Sequence, residues 1–194
     1  MSVKQVIIQR RAYRSLDPIP ISTELLNDLA ECAQLAPSCF NKQPWRFVFV
    51  TDRSQLEKMY QALSTGNDWV RRSNLIVAVV SGREMDCVIG EREYFLFDTG
   101  MANAFLMLRA TELGLVAHPI AGFDEARVKE ILAIPSELQV IALVIIGARA
   151  EKINPELSPR QIASEKQRPE RLPLESLVFL INSNHQRAIR RCYD

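Results

Sequence analysis

Glycine, histidine and unbalanced charge are all scarce in this sequence of 194 residues. It contains 7 glycines, 2 histidines and 7% aromatic residues, and its 24 Lys and Arg against 23 Asp and Glu leave a formal net charge of +1. So few glycines and aromatic residues argue against an all-β sandwich, which needs a turn about every ten residues. The balanced charge provides no field that would steer the chain onto nucleic acid or an anionic membrane, so neither is predicted as a partner.

Hydrophobic residues, by contrast, make up 47% of the sequence, which is enough to bury a sizeable core. Neither an internal repeat nor a linker divides the chain. We therefore predict a single domain over residues 1–194, rich in helix, with an extended C-terminal arm that begins near residue 151.

Cysteine usage and the lack of targeting signals favour a cytoplasmic protein. The four cysteines form no CxxC pair, and a chain of this size does not need disulfides, so we expect reduced thiols. No signal peptide is visible at the N-terminus. The most apolar long stretch, residues 94–113, carries three charged side chains, so it predicts a buried helix and not a membrane span.

Hydrophobic periodicity predicts helices interleaved with strands. Helices are expected to begin after the N-cap residues Ser2, Ser22, Asp52 and Asp124, and the first of them to end near Arg14. Apolar runs predict strands at 46–51, 75–81 and 140–148, and a long helix at 91–113. The arm, with four prolines and nine charges between residues 151 and 173, predicts a surface segment, followed by a last amphipathic helix over LESLVFLI.

The helix predicted at 91–113 is too apolar for a helix that buries only one side. Large apolar side chains lie around much of its circumference: Tyr94, Phe95, Phe97, Met101, Phe105 and Met107. A second subunit packed against this helix would bury these side chains, so the helix predicts a dimer interface.

Three arginines near the N-terminus are candidates for anion binding. Arg10, Arg11 and Arg14 lie at the end of the first predicted helix, where Arg10 and Arg14, four residues apart, can project from one face. Arginine can bind a phosphate with two donors. The alternative is that they face solvent or the last carbonyl groups of the helix, where cations are favoured.

A polar loop, PSCFNKQPW over residues 37–45, is a second candidate. The amides of Asn41 and Gln43 each present a donor and an acceptor, which suits the edge of a flat heterocycle. An ordinary polar turn is an equally good interpretation of this loop taken alone.

Other chemistries fit less well. Cys39 and His118 could form a thiol hydrolase dyad, but a lone cysteine is more often a small buried hydrophobic residue. A zinc site needs about four ligands, and two distant histidines with scattered cysteines show no ligand spacing. The basic RAIRR cluster near the C-terminus is better interpreted as a solvated helix end than as a nucleic-acid contact.

Three segments in this order, RRAYR, APSCFNKQPWRFVFV and HPIAGFD, resemble the nitroreductase family of FMN-dependent oxidoreductases. The resemblance runs from Arg10 to about Arg171. It implies an α+β fold, a three-layer sandwich with a small, mainly antiparallel sheet flanked by helices. It also implies a homodimer with FMN at the subunit interface and NADH or NADPH as co-substrate.

The resemblance assigns the candidate site residues by their place in these motifs. Those implied to contact the FMN phosphate and ribityl chain are Arg10, Arg11, Ala12, Arg14 and Arg171. Those implied to contact the flavin of the other subunit are Pro37, Ser38 and Asn41, with Gln43 and Asn67 as further flavin contacts. Those in the loop whose backbone amide faces flavin N5 are Ile120, Ala121 and Gly122. The sequence departs from the family pattern at Ala12, where Ser is usual, and at Cys39.

The implied activity is the reduction of a small oxidised acceptor, such as a nitroaromatic, a quinone or an enone. NADH or NADPH first gives a hydride to flavin N5, and the acceptor then takes it in the same place. No protein side chain is predicted to be catalytic, and no metal is predicted. The alternative is a flavin-binding carrier or sensor without turnover.

Overall fold

The computed structural model describes residues 1–179, with helices packed on both faces of one antiparallel sheet. The helices are α1 (Val3–Gln9), α2 (Thr23–Gln34), α3 (Arg53–Gln61), α4 (Phe95–Glu112), α5 (Glu125–Leu132) and α6 (Pro159–Lys166). The strands are β1 (Leu16–Asp17), β2 (Arg46–Val50), β3 (Leu75–Ser81), β4 (Val88–Ile89), β5 (Arg92–Glu93), β6 (Leu115–Ile120) and β7 (Gln139–Arg149). The RAIRR cluster, Cys192 and the end of the predicted last helix lie outside the described residues.

The long strand β7 organises the main sheet. It pairs with β3 along one side and with β6 on the other, while β2 pairs with the far side of β3 and β1 with the end of β7, all antiparallel. At the centre Val77 lies opposite both Phe49 of β2 and Val144 of β7. The predicted fold class, an α+β three-layer sandwich with a small antiparallel sheet, is confirmed.

Strand β3 is buried on both faces, as its uninterrupted apolar run predicts. Because side chains alternate along a strand, Ile76, Ala78 and Val80 pack into the core cluster that contains residues of α3 and α5. Leu75, Val77 and Val79 pack into the opposite cluster with residues of α2 and α4. The two clusters are the two interfaces of the sandwich.

All four predicted N-caps are present, and the Ser2 side chain accepts the backbone N–H of Gln5 at 3.3 Å in the first turn of α1. The side chains of Ser22, Asp52 and Asp124 accept hydrogen bonds from backbone N–H groups in the first turns of α2, α3 and α5, at 3.2, 3.0 and 3.1 Å. Each bond satisfies a donor that the helix itself cannot, which fixes where the helix begins.

Four predictions of where helices begin, end or occur are wrong. The first helix ends at Gln9 and not near Arg14, because the chain turns extended at Arg10. The long helix begins at Phe95, since residues 88–93 form the β4–β5 hairpin around Gly90, whose φ is +63°. The arm contains α6, and LESLVFLI forms, within residues 174–179, a 3₁₀ turn whose leucines are exposed and therefore add little packing energy.

Within residues 1–179, no helix combines the length and the apolar character that crossing a membrane requires.

Candidate functional site

Arginines dominate a cavity of about 520 Å³ between the segment that follows α1 and the C-terminal arm. Six of its lining residues are arginines and none is acidic: Arg10, Arg11, Arg14, Arg160, Arg168 and Arg171. Within residues 1–179, none of the six forms an ion pair with a carboxylate. Like charges gathered in a concave site raise its positive potential, so this cavity is suited to an anion.

Hydrogen bonds to α6 hold the arginine segment extended. The buried carboxylate of Glu165 accepts the backbone N–H groups of Arg14 and Ser15 at 2.7 and 3.3 Å. Arg14 also donates from Nη1 to Ser164 Oγ at 3.1 Å. On the other side, Arg168 donates from Nη2 to the carbonyl of Arg10 at 2.8 Å. The arm therefore closes the cavity over residues 10–14.

The environment of the cavity disfavours its own positive charges. Burial, together with the nearby guanidinium groups of Arg168 and Arg171, lowers the pKa of Arg10. Burial also lowers the pKa of Arg14, although Glu165 acts in the opposite direction. A bound dianion would offset this cost, because it pairs with several of these cations at once.

A buried aromatic pair lies behind the arginines. The ring of His118 stacks on Trp69 with centroids 4.7 Å apart, and protonated Nδ1 donates to the carbonyl of Tyr13 at 2.9 Å. Burial, with the positive charges of Arg14 and Arg10, lowers the pKa of His118 to about 4. The imidazole is therefore neutral at pH 7 and hydrogen-bonded in place, so it orients the chain instead of shuttling protons.

The segment that contains Asn67 packs closely against the turn that follows β6, which contains Gly122. The Asn67 side chain donates from Nδ2 to the carbonyl of Gly122 at 2.9 Å, and the backbone N–H of Ser64 donates to the same oxygen at 3.0 Å. A Cβ at Gly122 would lie 2.6 Å from Asn67 Nδ2, so this contact needs glycine. Ile120 ends β6 buried, while Ala121 is exposed beside the turn.

The loop at 37–43 is held in an unusual backbone conformation. Phe40, Asn41 and Gln43 have φ of 49°, 56° and 49°, a region that only glycine enters without cost. Ser38 stabilises this shape, because its Oγ accepts the backbone N–H of Gln43 at 2.9 Å. Such backbone strain clusters at binding and catalytic sites.

The cysteines correct the expectation that every thiol is reduced. The structure joins Cys39 of this loop to Cys87, which precedes β4, in a disulfide across 48 residues. Cys32 is the free cysteine among residues 1–179. No local sequence pattern links Cys39 to Cys87, so the pairing becomes visible only when α4 brings the two segments together.

The structure gathers the predicted site residues into two groups. Arg10, Arg11, Ala12, Arg14 and Arg171 line the arginine cavity. Gln161, another lining residue, donates to the carbonyl of Gly66 at 2.9 Å and so places the Asn67–Gly122 turn beside the cavity. The residues of the loop, Pro37, Ser38, Asn41 and Gln43, form the second group and do not line the cavity.

Sequence reasoning missed Glu165 and most of the wall that α6 provides. A signal was available, because Ser158, Pro159 and Gln161 match a capping box with proline at the first helical position, and both capping bonds are present. The role of Glu165 had no local signal, since its partners are about 150 residues away.

The family model of the nitroreductase family matches residues 7–148. The chain belongs to the nitroreductase family. The match includes the arginines after α1, the strained loop and the Asn67–Gly122 turn, so the family predicted from RRAYR, APSCFNKQPW and HPIAGFD is confirmed.

Similar proteins agree with this family along most of the chain. A protein of Thermus thermophilus named NADH dehydrogenase is 27% identical over 92% of this chain and 96% of its own. A crystal structure described as an oxidoreductase containing FMN is 28% identical, with a TM-score of 0.76 over 92% of this chain and 91% of its own. A nitroreductase family protein from Clostridium novyi NT is 28% identical, with a TM-score of 0.73 over 78% of this chain and 87% of its own.

Proposed function

We propose that this nitroreductase family member is an FMN-dependent oxidoreductase that uses NADH or NADPH to reduce a small oxidised acceptor. The observation that carries the proposal is the cavity with six arginines and no carboxylate in its lining. FMN ends in one phosphate, and arginine binds phosphate through paired donors. The names of two similar proteins, an oxidoreductase containing FMN and an NADH dehydrogenase, support the same assignment.

The residues beside the cavity suit the flavin ring of FMN. The Asn67 amide and the backbone N–H of Ser64 both donate to the carbonyl of Gly122, so the backbone that would face a flat ring is held in one position. Arg14 lines the cavity, and its guanidinium carbon is 5.9 Å from the ring centroid of Trp69. A cation here would stabilise the negative charge of a reduced flavin.

When bound, FMN would supply hydride transfer between a nicotinamide and an oxidised acceptor. The protein's part is to bind and orient. The arginines would anchor the phosphate, the Asn67 amide holds the backbone of Gly122 in position, and neutral His118 holds the segment at Tyr13 in place. No side chain needs to act as a nucleophile, which suits a site with a single, hydrogen-bonded histidine. We propose nitroaromatics, quinones or enones as acceptors.

We also propose that the enzyme is a homodimer in which the loop at 37–43 contacts FMN bound to the partner subunit. Phe40 is 86% exposed although its backbone is strained, and Phe97 on α4 is 64% exposed. Leu96 and Phe105 on the same helix are also exposed. A second subunit would cover these side chains and give the strained loop a partner.

The phosphate assignment is tested by titrating the apoprotein with FMN, riboflavin and FAD while flavin fluorescence is recorded. FMN should bind most tightly. Arg10→Ala and Arg171→Ala should each weaken FMN binding by roughly 10- to 100-fold, the effect of one lost charged hydrogen bond, and leave riboflavin binding nearly unchanged. The matched control is Arg53→Ala, an exposed arginine at the start of α3, which should change neither. Equal affinity for FMN and riboflavin, or a preference for FAD, would contradict the proposal.

Turnover is tested separately under anaerobic conditions. NADH or NADPH should bleach the bound flavin, and addition of a nitroaromatic, a quinone or an enone should restore its colour. A flavin that stays oxidised with both nucleotides would identify a carrier or sensor instead of an enzyme.

A further inference from the structure

A compact cluster of two sulfurs and a carboxylate lies outside the arginine cavity. Cys39 Sγ, Cys87 Sγ and a carboxylate oxygen of Asp86 all lie within 4.8 Å of one another. The two sulfurs are bonded to each other. Cys39 is half-buried on its loop, whereas Cys87 is only 7% exposed. An external reagent therefore meets Cys39 first.

The carboxylate of Asp86 is unusual for a structural disulfide. Asp86 is only 6% exposed, and its Oδ1 accepts the backbone N–H of Cys87 at 2.7 Å. Its Oδ2 is buried and receives no hydrogen bond from an N–H or a hydroxyl donor among residues 1–179. The side chain that interacts with Asp86 is the Asp98 carboxylate, through a hydrogen bond that requires a proton on one of the two carboxyl groups. Maintaining a permanent disulfide does not require this carboxylate.

The surroundings of Asp86 favour its protonated form. Burial is the largest effect that raises the pKa of Asp86, and the nearby Asp98 carboxylate raises it further. The N–H of Cys87 and the positive charge of Lys42 act in the opposite direction. Asp98, itself 2% exposed on α4, also accepts the backbone N–H of Cys39 at 2.6 Å. Asp86 therefore keeps its proton to a higher pH than an exposed aspartate does.

We propose that Cys39–Cys87 is a thiol–disulfide exchange site that a dithiol reductant reduces, with Asp86 as the general acid for Cys87. The proposal does not depend on the proposed FMN chemistry.

The exchange has two steps. A thiolate of the dithiol attacks Cys39 Sγ, the bond to Cys87 breaks, and Cys87 Sγ leaves with the electron pair and takes the proton of Asp86. The second thiol of the dithiol then attacks the dithiol sulfur of the mixed disulfide, the bond to Cys39 breaks, and Cys39 Sγ leaves with the electron pair and takes up the proton that the second thiol loses, which forms the cyclic oxidised dithiol. The dithiol loses two electrons and two protons, the pair Cys39 and Cys87 gains two of each, and Asp86 recovers its proton from solvent.

Reversibility is tested on the native protein in a series of reduced and oxidised dithiothreitol ratios. Thiols are trapped by alkylation and assigned by peptide mass. Cys39 and Cys87 should change state together across the series and return on reoxidation, while Cys32 stays reduced throughout. A pair that stays oxidised in the folded protein at every ratio would be a structural disulfide and would overturn the proposal. So would a purified protein with both thiols free and one bound zinc ion.

The site of attack is tested with a monothiol, reduced glutathione, on the wild-type protein. The trapped mixed disulfide should be on Cys39 and not on Cys87. Adducts divided equally between the two sulfurs would contradict the assigned direction of exchange.

The role of Asp86 is tested by the rate of reduction, divided by the concentration of dithiol thiolate, as a function of pH. In the wild-type protein this rate constant should fall as the pH rises through the Asp86 pKa, because the acid is lost. In Asp86→Asn it should be at least about tenfold lower on the acid side and should not vary with pH. An unchanged rate and pH profile in a folded Asp86→Asn variant would remove Asp86 from the mechanism.

Discussion

A buried neutral imidazole makes the folded protein sensitive to acid. The pKa of His118 is lowered to about 4 by burial and by the charges of Arg14 and Arg10, whereas an unfolded chain has the ordinary value near 6.5. Between these two pH values the unfolded chain binds a proton that the folded chain does not. The free energy of unfolding must therefore fall as the pH drops from 6.5 towards about 4, by roughly 3 kcal/mol in all, and this loss ends below that pH.

His118→Gln removes this proton linkage and keeps a hydrogen-bond donor near Tyr13. We expect wild-type protein to lose about 2 to 3 kcal/mol more stability than the variant between pH 7 and pH 4.5. Urea unfolding of both proteins at equal concentration measures the difference, and other groups that titrate in this range cancel in the comparison. Equal losses in the two proteins would mean that His118 is accessible to protons in the folded state.

Residues that act together were predictable where they are neighbours in the sequence. Arg10, Arg11 and Arg14 lie within five positions, so a phosphate site was an available interpretation from the sequence alone. The Glu165 contacts and the Cys39–Cys87 bond join positions about 150 and 48 residues apart. Composition and spacing contain no information about such pairs, because the fold alone brings them together.

At the scale of elements, several hydrogen bonds join the segment between α3 and β3 to the segment after β6, and the contact of Asn67 with Gly122 is the one that involves a side chain. Gly122→Ala should destabilise the protein by about 1 to 3 kcal/mol, since its Cβ would lie 2.6 Å from Asn67 Nδ2. Asn67→Ala should cost about 1 kcal/mol through loss of its hydrogen bond to Gly122. The double variant should cost less than the sum, because removal of the amide makes room for the new methyl group. Thermal unfolding of the four apoproteins tests this, and strict additivity would mean that the backbone itself obstructs the methyl group.

Helix starts with a capping side chain were predictable, whereas the start of α4 and the end of α1 were not. Ser22, Asp52 and Asp124 mark helix starts through hydrogen bonds to residues three positions on, so a short stretch of sequence contains the whole signal. The end of α1 at Gln9 coincides instead with contacts from a distant segment, because Arg168 of the arm donates to the carbonyl groups of Ile8 and Arg10. The α6 helix was not predicted, because the polar, proline-rich composition of residues 151–173 indicated a surface segment, and the capping box at Ser158 and Gln161 was not considered.

At the scale of the whole molecule, α4 provides the test of dimerisation. Phe105 on α4 and Ile153 on the arm are similarly exposed, at 40% and 38%, which makes them a matched pair. Phe105→Lys should give a smaller particle in sedimentation and weaker FMN binding, since a cofactor held by two chains favours the dimer by mass action. Ile153→Lys should change neither property. A fully flavin-loaded monomer would show that the loop at 37–43 does not reach a partner's cofactor.

The sandwich itself was predictable because its main signals are long. The apolar runs of β3 and β7 exceed what a strand with one solvent face would carry, so helices on both sides of a sheet follow from the sequence. Strand order did not follow from periodicity. The central position of β7 depends on its pairing with β3, which runs from Leu75 opposite Ile146 to Ser81 opposite Gln139, residues 71 to 58 positions apart.

The walls of the arginine cavity come from opposite ends of the described chain, residues 10–14 and residues 158–171. During synthesis, the N-terminal arginines leave the ribosome long before the wall that faces them. A nascent chain that has reached the end of β7 contains every strand of the sheet and the whole core cluster shared with α2 and α4, but it lacks Leu157 of the other cluster and one wall of the proposed phosphate site. Capture of the cofactor is therefore expected only after α6 has been made, and a chain that is released before α6 should remain colourless.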